Sequence, residues 1–169
     1  MMDVYRGAER MMAMDDATWR RHANPWSVWS RFTVLPLLVL AIWSRVWLGW
    51  WALLPIGLAL AWNWLNPRVF PPVDRIRGWA GRAVMGERIF LGHRAEIAPH
   101  HRRAATVLTW SSAAGAVPLV VGLWALWWEG VVFGMALTVL PKVWFCDRMV
   151  WIYEDWVGAD RPLPGEKMT

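Results

Sequence analysis

The chain is poor in cysteine, and it lacks the short motifs by which common enzyme classes are recognised. Cys146 is the single cysteine among 169 residues, which excludes an intramolecular disulfide, a thiol redox pair and a cysteine-rich metal site. No nucleophile elbow, phosphate-binding loop or dinucleotide-binding fingerprint is present. These absences favour a non-enzymatic role over catalysis.

Tryptophan, by contrast, is abundant. The sequence has 17 Trp against 5 Phe and 2 Tyr, and 57% of its residues are hydrophobic, a composition that soluble domains do not show. The net charge of +5 comes from arginines that border apolar stretches, which is typical of a polytopic membrane protein. We therefore expect an integral membrane protein in contact with membrane lipids, and we expect no nucleic-acid partner.

Four apolar stretches are each long enough to cross a bilayer, which takes about 20 helical residues. The first is expected to start after Asn24, a good N-cap, with Pro25 as the first helical residue. The second is expected to stop at Asn66, because a proline biases the residue before it away from helical angles. The predicted crossings cover about residues 26–44, 47–65, 104–127 and 130–150.

Two patterns inside these crossings predict local geometry. Pro36 and Pro55 predict kinks, because a proline within a helix leaves carbonyl groups for neighbouring helices to satisfy. The small residues from 111 to 116 would allow the third crossing to approach another helix closely.

A polar connection over residues 66–103 separates the two pairs of crossings. From residue 66 to 104 the chain carries eight Arg, three acidic residues and three of its four His. At about 100° per residue, the middle of the connection projects one apolar arc with the arginines outside it, which predicts an amphipathic helix on the membrane interface. Glu87 breaks the pattern because it projects into this arc. The arc consists of Ile76, Trp79, Ala80, Ala83, Val84 and Phe90.

The positive charges predict the orientation. Five lie in the N-terminal part up to Arg31, eight in the connection and four from Lys142 onward, whereas the two short hairpin turns hold only Arg45. The positive-inside rule then places both termini and the connection in the cytoplasm. The predicted architecture is all-α, in the inner (plasma) membrane. It has a cytoplasmic segment at 1–25, a four-helix domain of two hairpins at 26–156 and a polar tail at 157–169.

The two terminal segments carry shorter signals. Asp3 starts a predicted short helix that lies on the membrane surface, and Asp15 with Asp16 marks a second helix start. The tail is rich in proline and glycine, so we expect it to be loosely ordered.

The segment PKVWFCDRMVWIYEDW is the predicted cytoplasmic foot of the fourth crossing. Asp147 and Glu154 share one helical direction there, and Arg148 and Asp155 share a neighbouring one. Lys142 projects to the opposite side, at the edge of the hydrocarbon. Because an ionisable group at that depth is costly unless it is paired or hydrated, Lys142 is either a functional site, a snorkelling side chain or the partner of a structural carboxylate.

Polar residues of several segments fall in the same predicted cytoplasmic plane. They could assemble a pocket for a lipid phosphate or a quinone headgroup, or they could form a structural network that locks the helix ends. We expect no metal, because no helical His-x-x-x-His or Glu-x-x-His pair exists and the adjacent His100 and His101 are predicted to point apart. The sequence does not identify a cofactor. The candidate site residues are His22, Asn24, Arg68, Glu87, His100, Lys142, Asp147, Arg148 and Asp155.

Five motifs carry a resemblance to a known family. They are HANPWSVWSRF (22–32), WLNPRVFPP (64–72), GERIFL (86–91), PHHRRA (99–104) and KVWFCDRMVWIYED (142–155). With them the chain resembles, over most of residues 15–156, a family of small Trp-rich prokaryotic membrane proteins catalogued as a domain of unknown function. The resemblance implies four membrane helices and carries over no activity. A site shared by such a family would fall on the candidate residues together with Arg88, and residues 1–14 and the tail lie outside the resemblance.

Two functions of different classes fit the sequence. The first is a non-enzymatic accessory or scaffold subunit whose Trp-rich surface packs against other membrane proteins, pigments or lipids, with homo-oligomers allowed. The second is a membrane enzyme or binding protein for a lipid, isoprenoid or quinone headgroup at the cytoplasmic interface. The small size and the absent catalytic motifs favour the first. The second requires that Glu87, His100, Lys142, Asp147 and Arg148 converge on one cavity.

Overall fold

The computed structural model describes residues 15–165, and within that range the chain is helical and has no β-strand. The all-α expectation is therefore confirmed. The surface helix predicted to start at Asp3 lies outside the described residues, as do the last four residues of the tail.

Two predicted caps begin the first helices. The Asp15 carboxylate accepts a hydrogen bond from the Thr18 amide at 2.7 Å. The Asn24 side chain accepts one from the Trp26 amide at 3.0 Å, and Pro25 follows it as the first helical residue. Up to Val69, the described helices are α1 Asp16–His22, α2 Pro25–Arg31, α3 Val34–Trp43, α4 Arg45–Leu48, the 3₁₀ turn Gly49–Ala52 and α5 Leu53–Val69.

The prolines of the first two predicted crossings coincide with interruptions of the helices. Pro36 has no amide hydrogen to donate to the carbonyl of Phe32, four residues earlier. The backbone amides of Phe32 and Thr33 instead donate to the carbonyl oxygen three residues earlier, at 3.2 Å in both cases. Pro55 has the same relation to Trp51, which lies in the 3₁₀ turn. The expected kinks thus take the form of two helix breaks, each about one turn before a proline.

The helix α5 ends later than the sequence predicts. It continues through Asn66 and Pro67 to Val69, so the predicted stop at Asn66 is wrong. Asn66 is fully buried, and its side chain is hydrogen-bonded to Ser27 and Ser30. These contacts hold it in the helix and outweigh the local bias from the following proline.

The second half of the chain has longer helices. Leu126, which follows α7, adopts the left-handed conformation with φ 55°, and this ends the helix. The next helix, α8, is continuous from the apolar part of the chain through the predicted foot. The described elements are α6 Gly78–Gly92, the 3₁₀ turn Arg94–Glu96, α7 Pro99–Ala125 and α8 Trp128–Gly158.

The amphipathic helix α6 is largely enclosed by other helices. It begins only at Gly78, because Arg77 is extended, so Ile76 lies outside it. It packs against α8 and also contacts α1 and α2. Its buried residues are Ala80, Gly81, Ala83, Val84, Met85, Gly86, Ile89 and Phe90.

Three helical stretches are long and apolar enough to cross a membrane, namely 25–69, 99–125 and 128–158. They support a membrane protein. The first stretch covers 45 residues and contains α2 to α5, so it includes both crossings that the sequence predicts in the N-terminal half. Within it, α3 packs against α5.

Small residues set the contact between α7 and α8, as the sequence predicts. A β-carbon on Gly115 would lie 2.6 Å from the carbonyl carbon of Leu137, so only glycine allows this approach. Beside it, the Ser112 hydroxyl donates to the Thr138 carbonyl at 2.8 Å. These two helices form the most extensive interface of the fold.

The two halves of the chain also meet at the end of the bundle opposite the foot. A cluster of buried apolar residues joins α3 to α7 and α8, and Arg45 donates to the carbonyls of Leu123 and Trp124 at the end of α7, the latter at 3.0 Å. A cation suits this position because the last carbonyls of a helix have no partner within the helix. The cluster comprises Val39, Leu119, Leu123 and Val131.

The polar tail is more ordered than expected as far as the structure describes it. Trp156 Nε1 donates to the Pro162 carbonyl at 3.0 Å, and Arg161 pairs with Glu96 at 3.0 Å. Leu163 packs against the buried core of α6, α7 and α8. The tail therefore folds back on the foot, because the Trp156 ring offers it both an apolar surface and a donor.

Candidate functional site

Lys142, which the sequence places at the edge of the hydrocarbon, pairs with Glu87. Its Nζ lies 3.6 Å from Glu87 Oε1 and 4.4 Å from the ring centre of Phe145. Glu87 comes from α6, where it breaks the apolar arc. Gly86 lets α6 approach α8 here, because a β-carbon on it would lie 2.6 Å from the carbonyl carbon of Met149. The partner of Lys142 is thus a carboxylate of the amphipathic connection.

A second pair, His22 and Arg31, lies beside the first. Arg31 Nη1 donates to His22 Nε2 at 2.9 Å, and His22 is only 7% exposed. Glu87 interacts electrostatically with Lys142, His22 and Arg31, so the two pairs form one group. We call these four residues, His22, Arg31, Glu87 and Lys142, the ionisable cluster.

Burial and the adjacent guanidinium keep His22 neutral. Burial, and then the charge of Arg31, lower the pKa of His22 from 6.5 to about 3. Because a guanidinium has only donors, Nε2 must be the acceptor and Nδ1 carries the proton. Nδ1 lies 3.3 Å from the Ser27 hydroxyl, which suits donation to that oxygen. His22 therefore orients Arg31 without neutralising its charge.

Glu87 is the anionic member of the cluster. Burial opposes its ionisation, but the charges of Lys142 and Arg31 outweigh burial and hold the pKa of Glu87 below its usual value of 4.5. Its side chain is 29% exposed. At pH 7 the cluster therefore holds one carboxylate, two cations and a neutral imidazole.

A chain of hydrogen bonds continues from His22 into α5. Ser27 Oγ donates to Asn66 Oδ1 at 2.9 Å, Asn66 Nδ2 donates to Ser30 Oγ at 2.7 Å, and Ser30 Oγ donates to the Trp26 carbonyl at 2.6 Å. Ser27 and Asn66 are fully buried. The chain joins α1, α2 and α5, and it fixes the helix that carries Arg31.

The charged face of the foot makes a separate set of contacts. Trp79 Nε1 donates to Asp147 at 3.1 Å, and Arg82 pairs with Glu154 at 2.9 Å. Asp147 and Glu154 thus both face α6, in keeping with the helical direction they share. Their partners lie on the same helix as Glu87, but they are not members of the ionisable cluster.

Asp155, Arg148 and the adjacent histidines form further contacts. His101 Nε2 lies 2.9 Å from Asp155 Oδ2 and so joins α7 to α8. The ring centres of His100 and His101 are 4.1 Å apart, so the expectation that they point apart is wrong. Both lie in the first turn of α7. A helical projection gives only the direction of each Cβ atom, and the side-chain torsions can still bring adjacent rings together. Arg148 packs on its own helix, with its guanidinium carbon 4.0 Å from the Trp151 ring centre.

Asn24 and Arg68 lie near the cluster and have structural contacts. Asn24 caps α2 and also donates from Nδ2 to the Pro71 carbonyl at 3.1 Å. The Arg68 guanidinium carbon lies 4.0 Å from the Trp64 ring centre. Arg68 is also near enough to Arg31 to repel its charge, which places it at the edge of the ionisable cluster.

The structure therefore divides the nine candidate residues. It brings His22, Glu87 and Lys142 together, with Arg68 at their edge, whereas the other five make structural contacts. Sequence reasoning misses Arg31, which falls inside the predicted first crossing and is counted only among the positive charges that set the orientation. The signal was present, because HANPWSVWSRF holds both His22 and Arg31, but the break between α1 and α2 hides their contact from any single helical projection.

The cluster is better suited to an anion than to a metal ion. Within residues 15–165, no three His, Cys, Asp or Glu side chains lie close enough to hold a metal. Two cations beside one carboxylate would repel a metal cation. The same charges attract a phosphate or a carboxylate.

A second candidate feature is a groove between α3 and α5. Its volume is about 460 Å³, and its walls are apolar except for Ser44. We call it the lateral groove. It is lined mainly by Leu37, Leu40, Pro55, Leu58 and Trp62.

Comparison with known proteins identifies a matching family. A family described as "Family of unknown function (DUF6653)" matches residues 5–165. No curated protein and no solved structure matches the chain. The resemblance drawn from the motifs is thus confirmed at the level of an uncharacterised family. The match also reaches residues 5–14 and 157–165, which the motifs had left outside.

Proposed function

The chain belongs to the Family of unknown function (DUF6653), and on that premise we propose that it is a non-enzymatic accessory or scaffold subunit of the inner (plasma) membrane. Its proposed partner is another integral membrane protein, which packs a helix into the lateral groove. The position of α5 carries this proposal. Among the described residues, α5 packs against α1, α2 and α3, whereas it has few or no contacts with α7 and α8.

The surface offered by this part of the chain is apolar and little covered. In the stretch 25–69, 11% of an apolar segment of 18 residues is buried within the fold. The corresponding value is 22% in each of the other two stretches. Lipid tails are as apolar as leucine, so helices associate in a bilayer through close packing rather than through the hydrophobic effect. A concave groove gives a partner helix more such contacts than a convex helix surface does.

The proposed topology has four crossings with both termini in the cytoplasm. A straight helix of 45 residues, the length of the stretch 25–69, would measure about 68 Å, roughly twice the hydrocarbon thickness. The stretch is interrupted at Gly49, which has φ 53°, and α3 packs against α5. Both observations support two crossings that turn near Gly49. The distribution of positive residues supports the orientation.

The contacts of the charged residues favour a non-enzymatic role. An enzyme that acts on a headgroup would need Asp147, Arg148 and His100 to reach the same cavity as Glu87 and Lys142. Instead, Asp147 faces α6, His100 packs on its neighbour, and Arg148 packs on its own helix. The contacts of Asp147 with Trp79 and of Asp155 with His101 hold the ends of α6, α7 and α8 together, which suits a rigid base for a scaffold.

Photocross-linking tests the proposed surface. Leu58 lines the lateral groove, whereas Leu60, two positions along α5, projects to the opposite side, and the two are 64% and 53% exposed. With p-benzoylphenylalanine at Leu58, we expect one discrete protein adduct in native membranes. With the same amino acid at Leu60, we expect adducts to lipid.

Purification in detergent-free native nanodiscs is a second test of the proposed scaffold function. The wild type is expected to retain one partner at a fixed ratio, Leu58→Trp should lose it because the new ring fills the groove, and Leu60→Trp should keep it. Lipid adducts alone at both positions, together with a chain that purifies without any partner, would refute the scaffold function.

A further inference from the structure

Two cations of the ionisable cluster share a single carboxylate. Arg31 and Lys142 both interact with Glu87, and they lie close enough to repel each other. His22 is neutral at pH 7 and adds no charge, because burial and Arg31 lower its pKa to about 3. The cluster therefore has an excess of positive charge.

The excess positive charge lies where the helices pass from apolar to polar sequence. One side of the ionisable cluster is exposed. The Lys142 side chain is 51% exposed and that of Glu87 is 29% exposed. Trp29 and Trp144, close in sequence to Arg31 and Lys142, are 55% and 59% exposed. Tryptophan rings at such positions favour the depth of the lipid headgroups. A headgroup can therefore approach the cluster from the bilayer.

Arg31 has donors that its contact with His22 does not use. The hydrogen bond to His22 Nε2 comes from Nη1, whereas a guanidinium has five N–H donors. The imidazole accepts without compensating the charge. A partly buried cation that lacks full compensation is costly, and a phosphate that bridges two cations removes this cost while it adds charge-assisted hydrogen bonds.

We propose that Arg31 and Lys142 together bind the phosphate of an anionic phospholipid headgroup in the cytoplasmic leaflet. In this site His22 orients the guanidinium, and the phosphate competes with the Glu87 carboxylate for the ammonium group of Lys142. Phosphate is the recognised chemistry, and a soluble phosphate compound shares it. The lipid source fits the depth of the cluster and the negative charge of the cytoplasmic leaflet. The site goes beyond the scaffold function and does not depend on the lateral groove.

Native mass spectrometry from nanodiscs of phosphatidylglycerol or phosphatidylcholine tests the site. The full-length wild type is expected to retain phosphatidylglycerol in preference to phosphatidylcholine. Lys142→Gln should lower that retention about tenfold, because one charge-assisted contact is lost. Glu87→Gln should raise it, because the competing carboxylate is gone. Lys142→Arg should restore it.

Arg82→Gln is the matched control, since Arg82 is a cation of α6 that pairs with Glu154 outside the cluster. It should retain phosphatidylglycerol as the wild type does. Equal losses in Arg82→Gln and Lys142→Gln would indicate general surface charge and would overturn the proposal. So would a loss in Glu87→Gln, because it would mean that the ion pair is purely structural. Displacement of the lipid by excess inorganic phosphate would overturn the lipid source and identify a soluble ligand.

Discussion

At the scale of single residues, Asn66 shows how one buried side chain can hold three helices. It lies fully enclosed in α5, accepts from Ser27 and donates to Ser30, while Ser27 is also within reach of His22. A buried amide without partners costs free energy, and so does a buried hydroxyl whose acceptor has been removed. Asn66 is therefore a structural residue whose loss affects the position of Arg31 as well.

Replacing Asn66 with alanine should lower the free energy of unfolding by about 2 kcal/mol, because the buried Ser27 hydroxyl loses its acceptor. Asn63→Ala is the control, since Asn63 lies in the same helix and is partly exposed. Unfolding in mixed micelles, followed by tryptophan fluorescence, measures both. Equal stabilities of the two variants would contradict the role given to Asn66.

His22 gives the protein a pH-dependent stability within a defined window. Its folded pKa of about 3 lies below the unfolded value of 6.5, so between these values the unfolded chain binds a proton that the folded chain does not. Stability from this group is full above pH 6.5 and is lost as the pH falls toward 3, by about 1.4 kcal/mol per pH unit. Glu87 contributes in the same direction only below its unfolded value of 4.5.

Thermal unfolding between about pH 6.5 and pH 5 therefore isolates His22 from Glu87. The wild type should melt at progressively lower temperature as the solution is acidified, and His22→Gln should remove most of that slope while it keeps an acceptor for Arg31. If both proteins show the same slope, His22 is not the responsible group.

At the scale of elements, the approach of α6 to α8 decides whether the ionisable cluster forms. Gly86 faces the backbone of Met149 next to Glu87, and the helix around it is buried through Val84, Met85 and Ile89. Any side chain at position 86 would push α6 away from α8. The Glu87 carboxylate would then move away from Lys142, so the packing and the ion pair depend on the same glycine.

The variant Gly86→Ala should therefore lower the free energy of unfolding by about 2 kcal/mol or more, through overpacking against α8. Gly92→Ala, at the end of the same helix, has nothing within 4 Å of the added β-carbon and should change stability by less than about 1 kcal/mol. Denaturation of the two variants in the same micelles compares them. A Gly86→Ala protein as stable as Gly92→Ala would show that the helices can separate at no cost.

At the scale of the whole molecule, two kinds of contact join its halves at opposite ends. At one end Arg45 binds the terminal carbonyls of α7, near the apolar cluster around Val39 and Leu119. At the other end, ion pairs and hydrogen bonds link α1, α2, α6 and α8. Between them the surface of α5 is apolar and exposed, which is the basis of the proposed lateral partner.

The proposed topology makes a prediction for intact cells. In a Cys146→Ser background, a membrane-impermeant maleimide should label Glu129→Cys, in the first turn of α8, and should not label Asp74→Cys or Asp160→Cys until the cells are opened. All three positions are exposed in the fold. Labelling of Asp74→Cys in sealed cells would reverse the proposed orientation.

The sequence by itself determined the features that depend on neighbouring residues. The caps at Asp15 and Asn24, the helical class, the apolar stretches and the family resemblance all followed from local patterns. The close contact of α7 and α8 also followed, because small residues recur there on one helix. The stop at Asn66 did not, since a buried hydrogen bond to Ser27 overrides the local effect of proline.

Tertiary structure alone decided which charges meet. The sequence drew attention to Lys142 because a charge at that depth in the membrane is costly. The local sequence did not identify Glu87 as its partner, and it did not predict the contact between Arg31 and His22. The sequence also did not show that Asp147 and Asp155 would bind partners outside the ionisable cluster. A helical projection gives the direction of a side chain about its own axis. The meeting of two charges depends on where helices cross, and side-chain packing at residues such as Gly86 sets that distance.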